Sequence, residues 1–121
     1  MAATILTNCT CGNEDPERAT LPFIMGNVAA SADQPAIVLL TIEGVWLAKR
    51  GGADGVQKEG FPVLKDVMQQ FVNSGGQIWA CGTCTKPRGI TEADLTEGAR
   101  IVTAAFVVQH MAAGGVNTMD F

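Results

Sequence analysis

Tyrosine is absent from this chain, and aromatic residues supply only 6% of its 121 positions. Surfaces that stack bases are built from aromatic side chains, so a platform for single-stranded nucleic acid is not expected. Positive charge is scarce too. Eight Lys and Arg stand against 12 Asp and Glu, for a net charge of −4 and a pI near 4.7. That balance is the reverse of the basic face a phosphate backbone selects, so no nucleic-acid partner is expected. No apolar run approaches the ~20 residues of a membrane span, and the first residues lack the basic and apolar regions of a signal peptide. The expected location is therefore the cytoplasm, where cysteines are normally reduced. With 47% hydrophobic residues the chain is not disordered. Its length suits one domain, over 1–121, with a core that needs no disulfide.

What the chain does have is four cysteines in two close pairs, Cys9 with Cys11 and Cys81 with Cys84. The second pair lies in the chemically richest stretch, Gly75–Ile90, GGQIWACGTCTKPRGI. Here a glycine pair ends a helix, a short apolar strand runs into Cys81, and the Cys-x-x-Cys opens onto a turn carrying Lys86, Pro87, Arg88 and Gly89. In reduced surroundings such pairs point to reactive or metal-binding thiols rather than structural crosslinks.

The rest of the chain supplies a frame. Ala3–Thr7 reads as a buried opening strand that ends at the Cys9–Cys11 loop. Asp15-Pro16 reads as a helix cap followed by proline at the first helical position, and this helix continues towards Ala30 with a first half disturbed by Pro22. Ala36–Thr41 is a second apolar strand, followed by a short helical turn around Val45–Ala48 and a polar loop to Gly60. Phe61-Pro62 opens an amphipathic helix in which Leu64, Val67, Met68, Phe71 and Val72 share one face. Gln77–Ala80 is the third strand. Thr91–Asp94 carries a capping-box pattern. Thr96 to Ala113 reads as one long helix, its Ile101–Val108 section apolar nearly all round, so that a sheet, an oligomer partner or both must cover it. Val116–Phe121 is a last strand. Short apolar strands alternating with helices predict a three-layer α/β/α fold with a mainly parallel sheet of about five strands. Sites in such sheets form at the carboxyl ends of strands, where Cys9, Cys11 and Cys81 fall.

A thiol acts as nucleophile or sulfur acceptor in its thiolate form, which nearby cations and amide groups favour. Around Cys81 the sequence offers Lys86, Arg88 and the amides of Gly82 and Thr83, with Cys84 placed to act as a resolving thiol if the loop turns back. Cys-x-x-Cys spacing equally serves redox pairs and zinc knuckles, and a buried cysteine can be a plain small hydrophobe. Cys9 and Cys11 would share a face in an extended segment, and a four-thiolate zinc site would form only if they met the second pair. No metal and no cofactor is assigned. Arg88 and Lys86 read as thiolate-stabilising cations. His110, Trp46, Trp79, Met25, Met68 and Met111 read as packing, surface or subunit-interface residues, and Glu43 reads as a turn carboxylate.

The segment Cys81-Gly-Thr-Cys84-Thr-Lys-Pro-Arg88-Gly89-Ile90, preceded by a Gly-Gly-x-Ile strand, resembles the active-cysteine segment of the DsrE/DsrF-like (DsrEFH, TusD-related) family. Asp15-Pro16-Glu17-Arg18, Glu43–Ala48 and Thr91–Gly98 resemble other segments of that family in the same order. The resemblance implies a compact subunit that assembles into trimers or hexamers, with copies of itself or with related chains. It also implies a sulfur-transfer role in which Cys81 holds sulfane sulfur as a persulfide between a donor and an acceptor, either proteins or small persulfides. Cys84, Cys9 and Cys11 depart from many such carriers and leave room for a thiol-disulfide redox module using Cys81 and Cys84, or for a non-catalytic scaffold.

Overall fold

The computed structural model describes residues 3–121; Met1 and Ala2, part of the expected 1–121 domain, lie outside the described residues. Five strands form one all-parallel sheet in the order β4-β3-β2-β1-β5. They are β1 (Thr4–Cys9), β2 (Ala36–Leu40), β3 (Gln77–Cys81), β4 (Ala99–Val102) and β5 (Val116–Asp120). Helices α1 (Pro16–Ser31) and α2 (Leu64–Asn73) pack on one face of the sheet, and α4 (Ala104–Ala112) on the other; a four-residue α3 (Gly82–Thr85) follows β3. Handedness explains the layering. The steps β1–α1–β2 and β2–α2–β3 move across the sheet in one direction. The β4–α4–β5 connection returns past β3, β2 and β1, so a right-handed crossover places its helix on the opposite face.

Strand parity divides the core in two. Cys9, Val38, Leu40, Ile78 and Ala80 point towards α1 and α2, where Phe23 and Phe71 meet edge to face at 5.9 Å. Leu6, Ile37, Leu39, Trp79 and Val102 point the other way, onto Val107 of α4. Amphipathic α2 buries Leu64, Val67, Met68 and Phe71; it begins at Leu64, two residues beyond Pro62. Val56 is buried in the preceding loop, and its carbonyl accepts from Leu64 N at 3.2 Å.

Two expectations are corrected. The long helix over 96–113 is instead strand β4 followed by α4, broken at Thr103, whose Oγ1 accepts from Phe106 N at 3.0 Å as an N-cap. Within this chain only Val107 of α4 is buried, and Phe106, Val108 and Met111 are exposed, as is Met25 on α1. Pro22 does not disturb α1, which runs unbroken from a cap in which Asp15 Oδ1 accepts from Arg18 N at 3.2 Å. The missing Pro22 N–H affects only the Arg18 carbonyl, and the Cys9 thiol comes within 4.0 Å of it.

Candidate functional site

The carboxyl ends of β1, β2 and β3 lie side by side, and each runs into a loop that carries candidate groups. After β2 the chain turns sharply: Ile42 has φ of 56°, a conformation that β-branched residues rarely adopt and that costs about 1–3 kcal/mol. The turn aims the Ile42 amide at Cys84, whose Sγ accepts it at 3.2 Å. Gly44 then passes so close to the end of β1 that a Cβ there would collide with the Cys9 carbonyl. Its own amide donates to Thr10 O at 3.2 Å and to Thr41 O at 2.9 Å.

The motif after Cys81 is laid out by its own residues. From Cys81 the chain enters α3, with Cys81 in the cap position and Cys84 within the first turn, before the turn that the sequence pattern places at Lys86–Gly89. Pro87 cannot donate to the helix, so the chain tightens into a 3-10 turn over Lys86–Arg88. Gly89, at φ of 70°, closes it: Gly89 N donates to Lys86 O and Ile90 N to Thr85 O, both at 3.1 Å, while Ile90 is buried behind the turn. The Arg-Gly-Ile run is thus a helix stop with a hydrophobic anchor. Thr85 is buried, and its Oγ1 donates to Gly82 O at 3.3 Å.

Arg88 is engaged with a carboxylate rather than with sulfur. Its Nη2 and Nε donate to Glu43 Oε1 at 2.6 and 3.1 Å, and its Nη1 donates to the Cys84 carbonyl at 3.0 Å. The Arg88 hydrogen bonds hold the Glu43 carboxyl below the usual carboxylate range, with Trp46 Nε1 adding a bond at 3.2 Å to Oε2. Glu43 and Ile42 are the residues that sequence reasoning undervalued. Glu43 lies 45 positions from Arg88, and a positive φ at isoleucine has no sequence signal. With Glu14 and Asp54, Glu43 also lines a crevice of about 380 Å³ whose carboxylates disfavour anions.

The other candidates separate. Cys81 and Cys84 are half-buried, Gly82 packs against β4, and Thr83 and Lys86 are exposed at the rim. Cys9 lies in the core, where its thiol reaches the carbonyl of Cys11 at 3.4 Å and that of Ala19 at 3.9 Å. Burial pushes its pKa up to about 12, so it stays protonated. Cys11 is half-buried, its sulfur 3.8 Å from Thr10 Oγ1. The two cysteine pairs do not converge: among the described residues, no group of three or more His, Cys, Asp or Glu side chains is placed to share a metal ion. His110 stacks edge-on against Trp79 at 5.1 Å, on the far face of the sheet.

A family model described as the DsrE/DsrF-like family matches residues 5–118. The uncharacterized protein MJ0760 of Methanocaldococcus jannaschii is 30% identical over 102 residues, which are 84% of this chain and 37% of that protein. The uncharacterized protein MK0008 of Methanopyrus kandleri is 29% identical over 87 residues, 72% of this chain and 69% of that protein. The chain thus spans little more than a third of the first of these relatives. Among solved structures, the ychN protein of E. coli superimposes with a TM-score of 0.73 at 18% identity, covering all of both chains. The protein of unknown function MTH1491 from Methanobacterium thermoautotrophicum gives 0.68 at 17%, covering 98% of this chain and 99% of that one. At these identities the two likenesses establish the fold.

Proposed function

The chain belongs to the DsrE/DsrF-like family, and from that premise we propose that it is a sulfur-relay protein whose carrier is Cys81. The observation that carries the reading is the placement of Cys81. It is the last residue of β3, half-exposed at the carboxyl edge of a parallel sheet, with a second half-buried thiol one helical turn away. In the proposed cycle the Cys81 thiolate attacks the outer sulfur of a donor persulfide, forming Cys81–S–SH and releasing the donor as a thiolate. An acceptor thiolate then attacks that outer sulfur and restores Cys81. The amides that open α3, with exposed Lys86 at the rim, supply positive potential towards the incoming anion. Arg88 acts at one remove, by fixing the Cys84 carbonyl and Glu43. Donor and acceptor are proteins or small persulfides, the subunit works as an oligomer, and reduced cytoplasmic surroundings keep both thiols available.

Loading tests this reading. A Cys84→Ser chain treated with a glutathione persulfide is expected to gain one sulfur atom by intact mass, and the gain should vanish in Cys81→Ser. A gain that persists without Cys81 sinks the assignment. One observation favours a second reading: α3 starts directly at Cys81, so the pair has the cap-and-first-turn placement of a dithiol redox site. Failure to form a Cys81–Cys84 disulfide in a defined glutathione buffer removes that alternative.

A further inference from the structure

Cys81 and Cys84 do not have equal surroundings. Cys81 makes no side-chain capping bond at the start of α3, whereas Cys84 is held at two points. Its sulfur accepts the Ile42 amide at 3.2 Å, and its carbonyl accepts from Arg88, which is itself paired with Glu43. The first restraint comes from Ile42, whose backbone is strained, and the second from Arg88, which Glu43 holds in place. The helix cap and the third helical position are three residues apart, a spacing at which side chains on a helical turn are neighbours. Cys84 is therefore an anchored acceptor of hydrogen bonds, three residues on from Cys81 in the first turn of α3.

We propose that Cys84 gives this protein a second activity, release of the carried sulfur as sulfide; the proposal rests on the persulfide reading of Cys81. With Cys81 loaded as Cys81–S–SH, the Cys84 thiolate attacks the inner sulfur, the one attached to Cys81. A Cys81–Cys84 disulfide bond forms, the S–SH bond breaks, and the terminal sulfur leaves with the electron pair as HS⁻. The two cysteine sulfurs are oxidised and the sulfane sulfur is reduced. The proton lost from Cys84 passes to solvent. A low-molecular-weight thiol or a dithiol protein then reduces the disulfide and resets the pair. The Ile42 amide serves this step as a positioning group: it fixes the Cys84 sulfur and gives the charge on it a donor, which among the described residues no hydrogen bond supplies at Cys81.

The test uses the full chain in oxygen-free buffer, loaded with limiting glutathione persulfide and freed of the donor. The Cys84→Ser chain is expected to keep one added sulfur and release little sulfide. The unaltered chain should lose that sulfur, release one sulfide per chain, and end two hydrogens lighter with Cys81 and Cys84 joined. Retention of the added sulfur in the unaltered chain for as long as in Cys84→Ser overturns the inference while leaving the carrier reading intact. So does migration of the sulfur onto Cys84 without sulfide. If Cys84→Ser takes up no sulfur at all, the carrier reading fails and takes this inference with it. The role of the amide is read separately. Replacing the peptide bond at Ile42 by an ester, which removes the N–H, should slow sulfide release about tenfold or more at unchanged loading. Ile42→Gly, which keeps the N–H and accepts the positive φ, should release sulfide as the unaltered chain does. Release from the ester at the original rate overturns the part assigned to Ile42.

Discussion

The ends of β1 and β3 pose the same problem and solve it in opposite ways. Each is the carboxyl end of a buried parallel strand, and each carries a cysteine as its final residue. Cys9 shares the parity of Thr7, whose Oγ1 donates to Pro22 O at 3.0 Å, and so it passes beneath α1 into the core. Cys81 shares the parity of Trp79 and leaves by the other face. The Cys9 sulfur is a donor to backbone carbonyls, whereas the Cys84 sulfur receives a backbone amide. Parity decides whether a strand-end cysteine is drawn into the core, as Cys9 is, or left half-exposed, as Cys81 is. The same difference explains why the four thiols do not gather into one centre.

This contrast is open to direct attack. The largest expected effect is in alkylation. A thiol raised from about 9 to about 12 carries about a thousandfold less thiolate at neutral pH than an ordinary one. Brief iodoacetamide treatment of the folded protein, read by peptide mass, should mark Cys81 and Cys84 and leave Cys9 unmarked; comparable labelling of Cys9 would end the comparison. Next comes stability in alkali. The folded Cys9 thiol keeps its proton up to about 12 while the unfolded one loses it near 9, so the native state binds more protons in that window. Stability from this source is complete below pH 9 and falls as pH rises towards 12, by up to about 4 kcal/mol. Urea titrations across that range should show a shallower fall in Cys9→Ala.

Two glycine substitutions then separate the loops. In Gly44→Ala the new methyl meets the Cys9 carbonyl, and forcing the β1 and β2 loops apart should cost about 3 kcal/mol in urea unfolding. The smallest effect belongs to Gly89→Ala, which has open space but a left-handed backbone, for a cost of about 1 kcal/mol. That change should raise iodoacetamide labelling of Cys84, because Arg88 sits on the turn that Gly89 closes, and should leave Cys9 as protected as before. A change in Cys9 labelling would mean the two loops are less independent than their geometry implies.

The frame was largely readable from the chain. Periodicity at Leu64, Val67, Met68 and Phe71 locates α2, and uniform apolar runs locate β1, β2 and β3 as internal parallel strands. Strand β4 escaped because Ala-Arg-Ile-Val is short, lies at an edge, and is separated from the apolar Ala104–Val108 by the single residue Thr103. The β-branched run Ile101–Thr103, with threonine in a cap position, was the signal available. The site was legible as a list of thiols and cations but not as an arrangement. The Arg88–Glu43 pair joins distant segments, and the Ile42 amide acquires its importance only through a backbone angle that no residue type advertises. Arg88, expected as a cation for the thiolate, is in addition a brace for the loop through Glu43 and the Cys84 carbonyl.

The long return from β4 to β5 has a consequence for how the molecule opens. It sends one nine-residue helix across a face that spans the sheet, and of that helix only Val107 is buried. The opposite face is secured by two helices and the larger cluster of buried side chains. Amide hydrogen exchange should accordingly be fastest through α4 and slowest in β2, with the helix and edge strand β5 letting go as a sub-global unit while the remaining strands stay closed. The cysteine loop after β3 is braced from the slow side by Ile42 and Glu43. Its geometry can therefore outlast repeated opening of the α4 layer.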